Sequence, residues 1–518
     1  MNKVIDLNFT DVIKNKKNIF HLIYSKVILC LLFFSITCSL SACKKEETVT
    51  VNTYSWNDAI EYEAEDGILL GGTVVSNQKD GYSGTGYVEG FTDDEDGIIF
   101  KIEIPEEGFY DLNFVSASNG GDYKENYVLV DGENIGNTIV QSAEFTDSVV
   151  ERVYLKSGEH EVLVSKYWGW ILLDELKIKK SDDIDPSLYE VNKKLCNPDA
   201  SENAQRLYSY LCDMYGSYII SGQFSDGMLG LENTAIYNVT GEYPAILGLD
   251  FIDYSTSRVE HGATSFATES AINYWNSGGI VTITWHWNAP EKYLTGEWYS
   301  GFYTDYTNID LTKILSGEDQ EGYDLLMDDI DAIAKQLQIL KDAGVPVLWR
   351  PLHEASGGWF WWGSAGPEEY KELYRILYDR LTNKYELNNL IWVWNGQDKE
   401  WYPGDEYVDI IGWDVYPGEQ VYSAQTATFL EAASISDGHK MIVMSENGCL
   451  FNPDLAFRDG ATWGYFCTWS GEFVLETEGY NTYGGRYTDE SMLRKVYQDE
   501  RVITRDELPD LKNYPISK

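Results

Sequence analysis

Apolar and polar residues alternate in short runs along residues 60–180, the pattern that predicts β-strands. Residues 98–104 and 127–130 are two such runs, and glycine-rich turns, including Asp131-Gly132, separate them. Many short strands joined by turns are typical of a β-sandwich. We therefore predict that residues 60–180 form an all-β sandwich module of jelly-roll type.

The pattern changes near residue 196, where short apolar runs begin to alternate with amphipathic segments. Residues 329–340 and 367–381 have helical periodicity, and the second segment begins with Pro367, as helices often do. Eight apolar runs joined by helices or loops predict an α/β fold, a (β/α)8 TIM barrel over residues 196–518. The runs are 218–221, 245–251, 280–286, 345–350, 390–394, 408–413, 441–445 and 463–469.

A polar stretch closed by Pro186 lies between the two patterns. Polar residues followed by proline are typical of a connection between structured segments. We predict that residues 181–195 are a linker between two domains.

The first 42 residues have the composition of a bacterial export signal. Lysines precede an apolar run at 27–40, which is too short for an ordinary transmembrane helix. The run ends in Leu-Ser-Ala-Cys, which resembles a lipobox and makes Cys43 the expected site of lipid attachment. We expect a signal peptide over 1–42, a tether over 43–59, and a bacterial lipoprotein of the cell envelope, at the outer membrane or cell surface.

The composition excludes several classes of partner. A formal charge of −45 argues against nucleic acid and anionic membranes, because both require basic patches. Aromatic residues make up 14% of the chain, which indicates either a core rich in rings or a surface that stacks on flat ligands. The sequence leaves open whether any disulfides form among the four cysteines of the predicted barrel, Cys196, Cys212, Cys449 and Cys467.

Two glutamates follow predicted barrel strands. Glu354 comes shortly after the fourth apolar run, and Glu446 lies at the end of the seventh. TIM barrels carry their chemistry at the C-terminal ends of the strands, so both carboxylates are expected at the barrel mouth. Two carboxylates that flank one bond are what glycoside hydrolysis requires, since one donates a proton and the other attacks the sugar. We predict that both are catalytic.

The motifs around these glutamates resemble glycoside hydrolase family 26, a retaining (β/α)8 family dominated by β-1,4-mannanases. The resemblance implies that Glu354 is the general acid/base and Glu446 the nucleophile, with the carboxyl groups roughly 5–5.5 Å apart. It also implies an endo-acting enzyme on neutral β-mannan that needs no cofactor for catalysis. The matching motifs are TWHWNAP at 284–290, RPLHE at 350–354, WFWWG at 359–363, WDVYP at 413–417 and SENG at 445–448.

Other residues at the predicted mouth have candidate roles. Tyr416, at the end of the sixth strand, is expected to donate a hydrogen bond that keeps the nucleophile ionised. Trp359 and Trp469 are expected to stack on sugar rings, and Trp359 also to shield the general acid from water. His286 and His353 are expected to contact sugar hydroxyls and to position the carboxylates.

The first domain resembles a carbohydrate-binding module of family 35, a β-sandwich with a structural calcium. The resemblance implies that Glu63, Glu65 and Asp174 lie near the ion, consistent with the preference of calcium for oxygen ligands. Trp168 and Trp170 are two residues apart, so one of them should face a ligand while the other packs, and we predict that Trp168 stacks on sugar. The matching motifs are YEAEDG at 62–67, GYSGTGYV at 81–88 and YWGWILLD at 167–174.

Three alternatives remain open at the level of sequence. The same retaining chemistry acts on mixed-linkage glucan or β-1,3-xylan within this family, and an exo-acting mannobiohydrolase would differ only in its loops. A non-catalytic surface glycan-binding protein is a different class, which the presence of both glutamates disfavours. We expect a monomer.

Overall fold

The computed structural model describes residues 56–436, 439–476 and 482–517. The chain divides into two compact units, the first made mostly of the strands before residue 181 and the second centred on a barrel. The predicted signal peptide, the lipid-attachment residue Cys43 and most of the predicted tether lie outside the described residues.

The first unit is a sandwich of two sheets, as predicted. One sheet has the order β3-β4-β11-β6-β9, with β1 also paired to β11, and the other has the order β2-β5-β10-β7-β8. The strands are β1 (Ile60–Glu63), β2 (Ile68–Leu70), β3 (Val74–Ser76), β4 (Tyr87–Glu89), β5 (Gly97–Ile104), β6 (Gly108–Ser118), β7 (Lys124–Val130), β8 (Glu133–Val140), β9 (Val149–Leu155), β10 (Gly158–Lys166) and β11 (Ile171–Lys180).

The turn predicted at Asp131-Gly132 joins β7 to β8, which pair antiparallel. Both residues have positive φ, 51° for Asp131 and 87° for Gly132. Two consecutive residues with positive φ give a two-residue hairpin the twist of its strands, and glycine adopts this conformation without steric cost. The local sequence therefore sets the register of this hairpin.

The second unit contains a closed barrel of eight parallel strands, which confirms the predicted fold class. The pairing of Gln223 with Thr468 joins the last barrel strand to the first. The strands of this unit are β12 (Ile219–Ile220), β13 (Gly222–Phe224), β14 (Ile246–Asp250), β15 (Ile280–Trp285), β16 (Val347–Pro351), β17 (Leu390–Trp394), β18 (Ile410–Val415), β19 (Met441–Asn447), β20 (Phe466–Thr468) and β21 (Val502–Ile503), and β13–β20 form the barrel.

Helices surround the barrel, with loops at the C-terminal ends of its strands. The predicted helix at 367–381 ends at Tyr378 and continues as a π-helix over Asp379–Lys384. The α-helices are α1 (Glu202–Met214), α2 (Leu231–Thr240), α3 (Thr256–Glu260), α4 (Ala267–Asn276), α5 (Leu311–Leu315), α6 (Gln320–Asp342), α7 (Pro367–Tyr378), α8 (Thr426–Ala433), α9 (Pro453–Asp459) and α10 (Glu490–Tyr497).

The first predicted barrel strand was wrong. The apolar run at 218–221 contains β12, which pairs with β21 in a separate two-stranded sheet. The barrel strand is the next segment, β13, which pairs with β14 and β20. Apolar content alone cannot distinguish these neighbouring segments, because a barrel strand of three residues has too few positions to show a pattern.

Tryptophans fill much of the interior of the second unit. Of the 17 tryptophans in the chain, nine are among the largest fully buried side chains, including Trp349 and Trp392 inside their strands. Parallel strands are covered on both faces, so these rings pack between strands and helices. The high aromatic content therefore reflects the core to a large extent.

Disulfides and membrane-spanning helices can both be checked in the described part of the chain. Cys196, Cys212, Cys449 and Cys467 are all free, so the described residues contain no disulfide. None of the described helices has the length and apolar composition needed to cross a membrane.

Candidate active site

A buried arginine lies at the centre of the barrel mouth. Arg350, on β16, is fully buried and donates through Nη1 to Oδ2 of Asp414 on β18, at 2.9 Å. Its Nη2 donates to Oε1 of Glu446 on β19. Asn395, just after β17, donates to Oδ1 of Asp414 at 2.8 Å and so holds that carboxylate from the other side. Four neighbouring strands thus contribute to one charged network.

The two predicted catalytic carboxylates lie close together. One oxygen from each of Glu354, Asp414 and Glu446 lies within 4.8 Å of the others. Three like charges and one guanidinium favour a proton on one of the acids. The hydrogen bonds from Arg350 go to Asp414 and Glu446, which leaves Glu354 as the acid best suited to carry that proton.

Two hydrogen-bond donors contact the carboxyl group of Glu446. Burial raises the pKa of this carboxyl above its ordinary value, Asp414 and Glu354 add to the rise, and Arg350 opposes it. The hydroxyl of Tyr416 donates to Oε2 of Glu446 at 2.7 Å, the contact expected from the sequence. Arginine and tyrosine together satisfy both oxygens of the carboxylate, which is what a buried nucleophile requires.

Glu354 lies on unusual backbone. Leu352 and Glu354 both have positive φ, 52° and 53°, although neither is glycine. The backbone N–H of Glu354 donates to the carbonyl oxygen of Asn395 at 2.7 Å, which fixes this conformation. Non-glycine residues in the left-handed region cost roughly 1–3 kcal/mol each and concentrate at functional sites. The strand end is thus forced into the shape that presents Glu354 at the mouth.

Trp359 contacts Glu354 directly. Its indole Nε1 donates to Oε2 of Glu354 at 2.8 Å, so this half-buried ring is a hydrogen-bond donor as well as an apolar wall. The following turn packs tightly on the segment after Glu354, since a Cβ at Gly363 would overlap the carbonyl oxygen of Ala355. The glycine of the WFWWG motif is therefore required by close backbone approach.

The two histidines contact each other. Nε2 of His286 lies 3.1 Å from Nε2 of His353, and Nδ1 of His286 lies 2.6 Å from Oδ2 of Asp250. Nδ1 of His353 lies 3.2 Å from Oγ1 of Thr284. All four ring nitrogens thus have protein partners. Contact with sugar hydroxyls and positioning of the catalytic carboxylates both stay predictions for this pair.

The remaining predicted sugar contacts lie around the same mouth. Tyr416 is 41% exposed, although its hydroxyl donates to the nucleophile. Trp469 is half-buried, with its ring centroid 4.6 Å from that of Phe224 and 5.7 Å from that of His286. Stacking of Trp359 and Trp469 on sugar rings stays a prediction.

The prediction for the paired tryptophans of the sandwich was wrong in one respect. Trp168 and Trp170 are both exposed, at 48% and 54%, so neither of them packs in the core. Trp170 has a φ of 50°, and a left-handed residue interrupts the alternation that an extended strand would give. Both indoles are therefore available for contact with a ligand.

The predicted calcium residues contact one loop, since Asp174 and Glu63 bind Ser83 and Glu65 binds Thr85. Both oxygens of Asp174 accept from the N–H of Ser83, at 3.0 and 3.1 Å, and the Ser83 hydroxyl donates to Glu63 at 2.7 Å. Glu65 accepts from the hydroxyl of Thr85 at 3.0 Å, while its Oε2 is buried without a hydrogen-bond partner in the described structure. Burial, with Glu175 and Glu63 nearby, raises the pKa of Asp174 to about 7.

These three carboxylates suit a cation in chemistry and charge. Their oxygens lie farther apart than those of the acids at the barrel mouth. Among the described residues, only Glu354, Asp414 and Glu446 each have an oxygen within 4.8 Å of the others. Calcium takes six to eight oxygen ligands, so the three carboxylates would supply only part of its coordination.

Sequence reasoning assigned no role to several residues of the cleft. Arg350 and Asp414 are charged residues inside otherwise apolar strands, a signal that was available in the sequence. Asp250 likewise ends β14, and Asn395 directly follows β17. Their partners depend on distances across the barrel that a linear sequence does not contain.

Two close carboxylates at the C-terminal end of a (β/α)8 barrel, one bonded to arginine and tyrosine and the other to an indole, form the site of a retaining glycoside hydrolase. Comparison with protein families agrees with this class. The chain belongs to glycosyl hydrolase family 26, whose sequence model matches residues 196–507. Residues 60–181 match the model of a carbohydrate binding module of family 35.

Individual relatives cover both units. The chain is 40% identical over 453 residues to a mannan endo-1,4-beta-mannosidase of Thermothelomyces thermophilus, which covers 87% of this chain and 90% of the relative. It is 35% identical to mannan endo-1,4-beta-mannosidase B of Piromyces sp., over 87% of this chain and 77% of the relative. The crystal structure of a Podospora anserina GH26-CBM35 beta-(1,4)-mannanase is 40% identical, with a TM-score of 0.64 over 88% of this chain and 99% of that one.

Replacing Tyr416 by phenylalanine should shift the pH dependence of activity. The lost hydroxyl donates to the carboxylate form of Glu446, so the pKa of Glu446 should rise further and more of it should be protonated at acidic pH. The acidic limb of the kcat/KM profile should move to higher pH, with a loss of about 10²-fold at the optimum. Tyr407→Phe, at a half-buried tyrosine, is the matched control, and an unshifted acidic limb in Tyr416→Phe would contradict the assignment.

Proposed function

We propose that this protein is an endo-acting β-1,4-mannanase that cleaves mannan, galactomannan or glucomannan with retention of configuration. The observation that carries the proposal is the Glu354–Glu446 pair around Arg350, in a barrel of glycosyl hydrolase family 26. The relatives named above are described as mannan endo-1,4-beta-mannosidases, and the first of them aligns with most of this chain.

The first step uses both glutamates. Glu354, protonated, donates its proton to the glycosidic oxygen, while Oε2 or Oε1 of the ionised Glu446 attacks the anomeric carbon. The bond to the leaving sugar breaks, and a covalent glycosyl–enzyme ester forms on Glu446. One oxygen of Glu354 lies within 4.8 Å of one oxygen of Glu446, which is near the spacing of retaining enzymes and below the roughly 6.5–9.5 Å of inverting enzymes, so the geometry favours retention.

The second step reverses the role of Glu354. Now a carboxylate, it removes a proton from a water molecule, which attacks the anomeric carbon and releases Glu446. Trp359 donates a hydrogen bond to Glu354 and so stabilises the anion that exists between the two steps. Once released, the carboxylate of Glu446 again accepts hydrogen bonds from Arg350 and Tyr416.

Replacement of Glu446 should remove the nucleophile, whereas replacement of Glu354 should remove the general acid/base, so the two variants should lose activity in different ways. Glu446→Ala cannot form the ester and should lose about 10³-fold or more in kcat. Glu354→Ala should lose less activity on a substrate whose leaving group needs no proton than it loses on mannan. Azide should restore turnover of this variant, because a small anion can attack the glycosyl–enzyme ester without a general base. Reducing-sugar release from mannan measures both variants, with the exposed Glu431→Gln as control.

Product analysis separates the substrate alternatives in the same experiment. Mannan, glucomannan, mixed-linkage glucan and β-1,3-xylan are incubated with the wild-type protein, and products are followed over time. Internal cuts that give a range of mannooligosaccharides early in the reaction support endo action on mannan, whereas mannobiose alone from the start indicates an exo enzyme. Equal activity in Glu446→Ala would overturn the nucleophile, and no hydrolysis of any glycan would favour a binding protein.

For the first unit, we propose that residues 60–181 bind glycan and hold a structural calcium ion. Exposed Trp168 and Trp170 offer flat apolar faces to a sugar ring. Asp174 is buried and Glu63 and Glu65 are half-buried, and a divalent cation held through their oxygens would neutralise these neighbouring acids. The ion would have a structural role and take no part in hydrolysis.

Removal of calcium should destabilise the sandwich. A ligand present at a hundredfold excess over its Kd contributes about 2.7 kcal/mol to the folded state, so EGTA should lower the melting temperature of this unit by several degrees. Asp174→Asn should be insensitive to EGTA, whereas Asp122→Asn, at an exposed aspartate, should respond like the wild type. Identical calorimetric traces with calcium and with EGTA would contradict a structural ion.

We also propose that the protein is a lipoprotein of the bacterial cell envelope, attached through Cys43 after removal of residues 1–42. The basic segment, the short apolar run and the Leu-Ser-Ala-Cys sequence support this. Radiolabelled palmitate fed to an expressing bacterium should label the wild type and Cys38→Ser but not Cys43→Ser. Labelling of Cys43→Ser at the wild-type level would rule out this anchor.

A further inference from the structure

A continuous chain of hydrogen bonds runs beside the catalytic carboxylates. Asp250 Oδ2 contacts His286 Nδ1 at 2.6 Å, and His286 Nε2 contacts His353 Nε2 at 3.1 Å. His353 Nδ1 contacts Oγ1 of Thr284 at 3.2 Å, and that hydroxyl donates to the carbonyl oxygen of Arg350 at 3.1 Å. Four hydrogen bonds therefore link one carboxylate to one backbone carbonyl.

The number of protons in this chain of hydrogen bonds is limited by the groups that form it. Each of the four hydrogen bonds needs one proton, and both end groups, the carboxylate of Asp250 and the carbonyl of Arg350, only accept. Two neutral histidines and one threonine hydroxyl supply three protons. With three protons, one of the four contacts has no hydrogen between its two acceptor atoms.

We propose that the chain holds a fourth proton, so that His286 is an imidazolium. In this state His286 donates from Nδ1 to Asp250 and from Nε2 to His353. His353 then donates from Nδ1 to Thr284, and the Thr284 hydroxyl donates to Arg350. Every contact has one proton, and the charge on His286 is balanced directly by Asp250.

The surroundings of His286 favour this state electrostatically. The imidazole is 12% exposed and packs against aromatic rings, so a charge on it needs a close partner, which Asp250 provides at 2.6 Å. The cleft as a whole has an excess of acids over bases. The charged groups are Asp250 on β14, Asp414 on β18, Glu446 on β19 and Glu354 after β16, against Arg350 on β16, and the neighbouring rings are Phe302, Phe360 and Trp469.

The extra proton gives Asp250 a positioning role in the reaction. His286 as a cation adds a second positive charge near Glu446, besides Arg350, and favours the ionised nucleophile. Asp250 does not touch Glu446 in any hydrogen bond described above, so it acts through His286. This consequence rests on the proposed role of Glu446, whereas the proton count does not.

Nuclear magnetic resonance on the full chain tests the protonation state directly. The chain has six histidines, so the protein labelled with 15N-histidine gives few ring signals, and His286→Gln identifies those of His286. At about pH 8 free histidine is mostly neutral, but His286 should show two protonated ring nitrogens. A single protonated nitrogen on His286 in the wild-type protein overturns the proposal.

Two substitutions of threonine in the same strand sharpen the test. Thr284→Val removes the last two contacts, which leaves two hydrogen bonds and two neutral histidines, so His286 should become neutral although Asp250 is intact. Thr282→Val is the matched control, because the Thr282 hydroxyl makes the equivalent bond to the carbonyl of Leu348 at 3.1 Å without touching a histidine. An imidazolium that persists in Thr284→Val contradicts the proton count.

Asp250→Asn tests whether this chain of hydrogen bonds affects catalysis. Without the carboxylate, His286 should lose its extra proton at pH 8, and the acidic limb of kcat/KM on mannan should move to higher pH because the cation near Glu446 is lost. A neutral His286 with an unmoved limb would disprove the positioning role. Since the resonance experiment needs no substrate, its result is independent of whether mannan is the substrate.

Discussion

The buried guanidinium of Arg350 is the interaction on which the site depends. It pairs with Asp414 and Glu446 in the barrel interior, where the effective dielectric constant is low and each charge is costly to desolvate. Removal of one partner from such a network leaves an uncompensated buried charge, which typically costs 3–5 kcal/mol. The same arginine makes the two catalytic acids unequal, because it donates hydrogen bonds to Glu446 and not to Glu354.

The barrel makes this arrangement possible. Side chains from β16, β18 and β19 reach the guanidinium network from different directions, and Asn395 after β17 closes it. Fully buried tryptophans, including Trp361 and Trp362, pack behind the mouth and bond to the backbone carbonyls of Trp287 and His353. A rigid aromatic layer thus fixes the segment from His353 to Trp362, which positions the general acid to the accuracy that catalysis requires.

The parts of the fold and site that follow from local chemistry could be predicted from sequence. Seven of the eight barrel strands correspond to apolar runs, and both glutamates could be placed because strand ends are where such barrels carry their chemistry. The strand Gly222–Phe224 could not, since its three residues are outweighed by the more apolar segment before it.

The rest depends on geometry in three dimensions. Nε2 of His286 and Nε2 of His353 are in contact because β15 and β16 are adjacent. The order of residues does not show that these two nitrogens are partners of each other. The pairing of Arg350 with Asp414 and Glu446 depends on distances across the barrel, and the exposure of Trp170 depends on one left-handed residue. These features become visible only when side chains and backbone angles are known.

Leu352 and Glu354, on either side of His353, have left-handed backbone conformations that lower the stability of the fold. Leu352 and Glu354 adopt a conformation that glycine or asparagine tolerates better, so the remainder of the barrel must compensate for them. A glycine in place of Glu354 would relieve the backbone and abolish the general acid at once. Selection for thermostability alone would therefore favour an inactive protein at this position, and only selection for turnover maintains the glutamate.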